Sequence, residues 1–452
     1  MKLRGLLIAA VILAGLTGFL YWSEHHKPSE DTTVTASLKA APKILSIPQG
    51  DIVQVKIERK GEEPVVLKKN EAGTWEITAP SVMSADQGAV SSLLSTVSGL
   101  DSDRLVEEKE TNLGPYGLTS PDLEVEATLK DKQTKKLLIG DKTPAGNAYF
   151  VALAGDPRLF TVASYNEESL NKTSGDLRDK RLITADFDKV SQIELEGVHG
   201  GKKADITFGR EKSGSWQIVK PQPYRADSSQ VESLISALRD AKMETGPGTD
   251  EKKSAEAFRA GAPVATAKVT GASGTQEIEV RKAKDDYYAK SSVIAGVYKV
   301  PASVGTGLGK SVEDFREKKL FAFGFGEPDR IEIHDGEKAY FLTHTDSGWR
   351  GADGKKLDEM TVEPLVEKVR DLAATKFVES GFTTAAVAVR ITVVSDGKKR
   401  TENVELAKGK DGYIGKRDDG AGLYEIPATA MSELEKAAAG VKAEAAGGGK
   451  QK

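Results

Sequence analysis

The sequence contains no cysteine, which removes disulfides, thiolate nucleophiles and cysteine-held zinc or iron–sulfur centres together. Histidine is scarce, with five in 452 residues. His25 and His26 adjoin in a polar stretch, His199 falls in a hairpin turn, His334 takes an outward strand slot, and His344 lies near another turn. None has the i, i+4 partner of a metal-binding helix, so no metal or cofactor is expected. Neither sign of charge dominates. Lys+Arg 64 against Asp+Glu 68 leaves −4, and no basic face for nucleic acid emerges. A nucleophile elbow is missing as well.

One uncharged apolar run stands out, Leu6 to Trp22, preceded by Lys2 and Arg4. As a helix it spans ~26 Å, and Leu3 with a snorkelling Arg4 brings it close to a ~30 Å hydrocarbon core. A cleaved signal peptide shares the charged start. However, the run ends in Phe19, Leu20, Tyr21 and Trp22, bulky where cleavage takes small residues and suited to an interfacial belt. Residues 1–22 therefore read as an uncleaved, single-pass anchor in a bacterial inner membrane. The basic start keeps the amino terminus cytoplasmic and sends the rest of the chain to the periplasm. Residues 23–48 are polar with three prolines and read as a flexible linker.

From Gln49 onward the pattern repeats. The stretch opened by Trp75 (WEITAPSVMSADQGAVSSLLSTVSGL) returns at Trp216 and, worn, at Trp349. Each copy predicts a strand with a tryptophan, a turn, an aspartate and an amphipathic helix. One constant offset carries Trp75 to Trp216, Asp86 to Asp227, Val90 to Val231, Leu93 to Leu234, Leu94 to Ile235 and Val97 to Leu238. A second, shorter offset carries Asp227 and its helix stripe to Asp358, Val362, Leu365, Val366 and Val369. The expected fold class is α+β: three tandem repeats, each of antiparallel meanders with one amphipathic helix. The boundaries read as 49–184, 185–322 and 323–440, with a disordered tail over 441–452.

Asp86, Asp227 and Asp358 invite a catalytic reading, but a carboxylate at a helix start caps free N–H groups, a need every copy shares. Ser84 with Gln87 offers a rival capping box for the first helix. Trp75, Trp216 and Trp349 alternate with apolar neighbours as an inward strand face does. The glycine-rich VGTGLGKS at 304–311 has Val304 where a phosphate loop needs glycine, and it reads as a flexible loop. No residue is assigned to catalysis, and the six tryptophans and aspartates stand as structural repeat markers. Specialisation is expected where the copies differ, over 101–115, 244–257 and 304–311.

These elements resemble the family called domain of unknown function 4340. The resemblance rests on Trp75, Pro80, Ala85–Asp86, YGLTSP at 116–121 and LRDK at 177–180, with Trp216, Pro221, Ala226–Asp227 and FREK in the second copy. The second copy has FRAGAP in place of YGLTSP, and the third has lost nearly all of that element. The resemblance implies a single-pass, envelope-facing protein beside an ABC-type membrane transport complex, with no catalytic residues to carry over. The function expected is thus a non-enzymatic interaction or scaffold protein. The alternatives are a cell-envelope glycan or peptide enzyme, or a ligand-binding accessory subunit, with a site at an inter-domain cleft.

Overall fold

The computed structural model describes residues 42–199, 202–245 and 250–444. The anchor over 1–22, His25, His26 and most of the linker lie outside the described residues. Among the described residues no helix is long and apolar enough to cross a membrane. Two compact units divide the chain, Met1–Asp179 and Lys180–Lys452.

In the first unit the two meanders form one antiparallel sheet of nine strands. The opening strand Ile52–Arg59 alternates buried Val55 and Ile57 with half-exposed polar residues. It pairs on one side with Val65–Lys69 and on the other with Leu123–Leu129, in a register setting Ile57 opposite Val125. Trp75–Ala79 and Met83–Ser84 extend one edge. Thr134–Lys142, Ala148–Leu153, Leu159–Ala163 and Arg104–Glu107 extend the other. The helix Gln87–Ser98 turns Val90, Leu93, Leu94 and Val97 inward. Burying four such side chains is worth on the order of 10 kcal/mol before ordering costs, an upper figure.

The second unit holds two further sheets of eight strands each, which share the order of seven strands and differ at the edges, where the second has Tyr224–Arg225 and the third has Lys376–Val378 at the opposite end. Val190–His199 pairs with Ala262–Gly271, and Arg330–Asp335 with Val387–Ser395. Leu195 and Ile333 occupy the slot of Ile57, opposite Ala267 and Ile391. The matching helices are Ser228–Arg239 and Glu359–Arg370. Each sheet has its own apolar core.

The repeat boundaries fall earlier than the sequence pattern suggests. Ile44 and Leu45, assigned to the linker, are buried at 4% and 5% exposure. Their amides donate to the Leu100 carbonyl just past the first helix. Leu182 likewise donates to the Ala241 carbonyl, and Leu320 to that of Leu372. Each repeat thus begins with an apolar pair (Ile44-Leu45, Leu182-Ile183, Leu320-Phe321) docked in its own core. Residues 42–48, 180–184 and 318–322 belong to the repeats they precede.

The far ends need correction too. The stretch 304–311 is no flexible loop: it carries most of the helix Ala302–Leu308, and Ser311 opens the next, Val312–Phe315, through a capping box with Asp314. The connection 244–257 includes most of the helix Glu251–Ala260, and 101–115 supplies the edge strand Arg104–Glu107. A long helix, Ala428–Gly440, packs on the third core through Met431, Leu434 and Ala438. The assigned tail 441–452 is in part ordered, since Lys442 accepts a backbone bond from Asp358 and Glu444 donates one to Lys356.

Candidate functional site

The repeat markers are taken up by the fold. Asp86 Oδ1 accepts from the amides of Gly88 at 2.9 Å and Ala89 at 3.0 Å, making it the N-cap. Asp227 does the same for Ser229 and Gln230, and Asp358 for Met360. The rival Ser84–Gln87 box does not form, because Gln87 turns back onto the strand and bonds the backbone of Trp75 and Ala85. Trp75, Trp216 and Trp349 are 8%, 7% and 2% exposed and packed in their cores. His344 pairs with Glu327 at 2.7 Å and lies beside the Trp349 ring, while His334 meets Phe341 edge-on. Among the described residues no group of His, Asp or Glu is arranged to hold a metal ion.

The closing segment of each repeat runs beside its cap aspartate. Isolated bridges set Arg178 against Ala85, Arg316 against Ala226 and Ala443 against Leu357. The LRDK and FREK motifs therefore close their repeats by pairing next to the helix start. In the second unit this geometry brings Arg316 to the seam between the second and third repeats.

That seam is where polar chemistry concentrates. Arg316 is 7% exposed, and its guanidinium carbon lies over two rings, 3.9 Å from the centre of Tyr224 and 3.6 Å from that of Phe377. Tyr224 stands on the edge strand of the second sheet and Phe377 on the edge strand of the third. Both rings attract the cation through their π faces, yet neither accepts a conventional hydrogen bond from it. Among the described residues the Arg316 side chain makes no hydrogen bond or ion pair, and its Nη2 is buried without a partner. Burial pushes its pKa down, against the opposing pull of Tyr224, Tyr424 and Glu313. A guanidinium keeps its charge regardless.

Beside Arg316 lies a cleft of about 500 Å³. Gln222, Tyr224 and Glu313 line it from the second repeat, and Val378, Glu379 and Leu423 from the third. Gly422 borders it too, with φ +105°, and a Cβ there would come within 2.3 Å of Arg316 Nη2. A side chain at 422 would displace the guanidinium.

Deeper in the seam a second arginine is ion-paired, although its Nη1 is also buried without a partner. Arg417, 2% exposed, grips Asp419 through Nε at 2.8 Å and Nη2 at 2.6 Å, and reaches Glu402 at 3.0 Å. Burial works against its charge, but the bond to Asp419 and the charges of Asp419 and Glu402 outweigh it and hold its pKa above the usual value. Glu402 Oε2 accepts from the Ala322 amide. Arg225 donates to the Lys319 carbonyl at 3.2 Å, and burial with the Arg417 charge lowers its pKa. The three arginines thus differ in kind: one holds carboxylates, one holds backbone carbonyls, and Arg316 holds neither.

Nothing in the sequence signals this cluster. Arg316 appears there only as a letter of FREK, and Tyr224 and Phe377, far apart along the chain, meet only through the packing of two sheets.

Fold and seam together define a protein of repeated sheet-and-helix modules with an arginine-lined cleft between two of them. Residues 75–215 and 216–389 match the family described as domain of unknown function 4340, and the chain belongs to it. Both matched segments open on a repeat tryptophan, so each starts at the third strand of one sheet and ends in the strands of the next. No curated protein matches the chain.

Proposed function

We propose that this protein is a non-enzymatic interaction or scaffold protein, accessory to an ABC-type membrane transport complex. Residues 1–22 anchor it in a bacterial inner membrane as a single pass, and the repeats face the periplasm. The observation that carries the non-enzymatic reading is the fate of the six shared markers. Asp86, Asp227 and Asp358 are helix caps and Trp75, Trp216 and Trp349 are core residues, so the threefold pattern serves the frame. The membrane position and the transport partner rest on the sequence of 1–22 and on the family resemblance.

The test is crosslinking and gentle affinity purification of the full-length protein from its native membrane. Recovery of a transporter complex is the expected outcome, and recovery of the chain alone overturns the assignment. A second reading, a ligand-binding accessory subunit, is favoured by one observation: the unpaired Arg316 beside the cleft.

A further inference from the structure

We infer that the cleft between the second and third repeats binds a zwitterionic amino acid or short peptide, with Arg316 taking its carboxylate. The inference rests on the ligand-binding reading of that cleft and names its ligand class.

A buried guanidinium without an acceptor is costly, because the hydrogen bonds it gave to water have not been replaced. Arg316 is more than nine-tenths buried, and its Nη2 lacks any acceptor. Elsewhere in the same seam Arg417 takes a two-point grip on a carboxylate through Nε and Nη2, and only its Nη1 is left without a partner. The fork geometry of arginine matches a carboxylate with two parallel bonds. Arg316 makes no such grip: Glu313 and Glu379 line the same cleft without bonding to it, and its cation lies over Tyr224 and Phe377.

The lining narrows the class. Glu313 and Glu379 both border the cleft and are exposed, and neither forms an ion pair with Arg316. Two carboxylates in the lining repel a dianion such as phosphate and attract an ammonium group. A ligand with one carboxylate and one ammonium satisfies both ends. Val378 and Leu423 add apolar wall, and the volume of about 500 Å³ is in the range of small-molecule sites.

Room for the guanidinium is provided by Gly422, whose φ of +105° and absent side chain leave Nη2 its place. The third repeat has Ala443 at the bridge position of Arg316, so it has no counterpart of this arginine.

Calorimetric titration of the full-length protein in detergent, with L-alanyl-L-alanine as the probe, tests the inference. Its C-terminal amide, its N-acetyl derivative and inorganic phosphate serve as comparisons. Saturable dipeptide binding at millimolar concentration or below is expected, at least tenfold weaker for the amide and several-fold weaker for the N-acetyl form. Arg316→Gln should reduce dipeptide binding at least tenfold, with circular dichroism confirming the fold. Glu379→Gln, a change at an exposed position, should weaken the dipeptide and leave the N-acetyl form unchanged. Dipeptide binding indifferent to both substitutions overturns the inference. Phosphate binding that depends on Arg316, without dipeptide binding, overturns the zwitterion while keeping a ligand site. Silence of every probe overturns both and leaves the scaffold reading to the crosslinking experiment.

Discussion

Gln87 closes two hydrogen bonds on the backbone of Trp75: its Oε1 accepts from the Trp75 amide and its Nε2 donates to the Trp75 carbonyl, each at 2.9 Å. The first residue of the helix thereby completes the outer side of the tryptophan strand. Gln87→Leu leaves both Trp75 groups without partners in a half-buried place, and a loss of about 1–3 kcal/mol is expected. Urea unfolding of the full chain measures it. An unchanged midpoint would show that water replaces the side chain.

The three cap aspartates should behave as caps. Substitution of Asp86 or Asp227 by Ala is expected to cost about 0.5–2 kcal/mol, and by Asn much less. Asp358 caps a single amide in place of two, so its loss should fall at the lower end. Thermal melts of the Ala and Asn variants rank them. Equal damage from Asn and Ala at all three sites would mean that the negative charge itself is required.

Breaking the buried Arg417–Glu402 contact should be severe. Arg417→Met leaves Glu402, 3% exposed, with its ion partner removed, and the expected cost is about 3–5 kcal/mol. A double variant, Arg417→Met with Glu402→Leu, should recover part of that loss. If the double variant is as unstable as the sum of the singles, the two side chains are not energetically coupled.

Acid should loosen the same seam in a defined direction. The Asp419 carboxyl is held below the usual aspartate range: burial pulls the other way, and the bonds and charge of Arg417 prevail. A depressed folded value means its stabilisation is whole above the unfolded pKa of about 3.9. It fades as pH falls past that point toward the folded value. The stability gap between wild type and Asp419→Asn should therefore be constant near neutrality and narrow below about pH 4. A gap that widens on acidification contradicts the pairing.

Gly305 lies inside a helix because of its neighbour. A Cβ at this position would come within 1.9 Å of the Tyr287 ring. Gly305→Ala raises helix propensity by about 1 kcal/mol, yet it is expected to destabilise by about 1–3 kcal/mol through overpacking. Tyr287→Ala in the same chain should relieve the clash. A stabilised Gly305→Ala single variant would show that the ring moves freely.

Local repetition was the legible part of this fold. The constant spacing from Asp86 to Asp227 and its shorter echo at Asp358 located the helices, caps and tryptophan strands. Amphipathic stripes and cap residues are written within a single turn or two of chain, so they survive as pattern. Features that depend on distant partners left no such trace. The pairing of Ile57 with Val125 joins two meanders into one sheet and has no periodic signature of its own. Ile44 and Leu45 sit among prolines and polar residues, where two apolar letters do not make a strand. Gly305 and Gly307 argue against a helix by propensity, and tertiary packing against Tyr287 and Ala237 overrides them. Arg316 was visible as a motif letter, but an unmet hydrogen bond is a property of surroundings and cannot be seen in spelling.

Glu317 donates its amide to the Arg225 carbonyl of the second sheet, and Lys318 accepts at its carbonyl from Ala374 of the third repeat. Adjacent residues thus serve opposite sides, and no spare residue remains between them to swing. One added amino acid at this junction would shift one wall of the cleft against the other by about 3.3 Å. The aperture that Arg316 overlooks is therefore gauged by chain length, the one dimension that substitution leaves untouched and insertion alters at once.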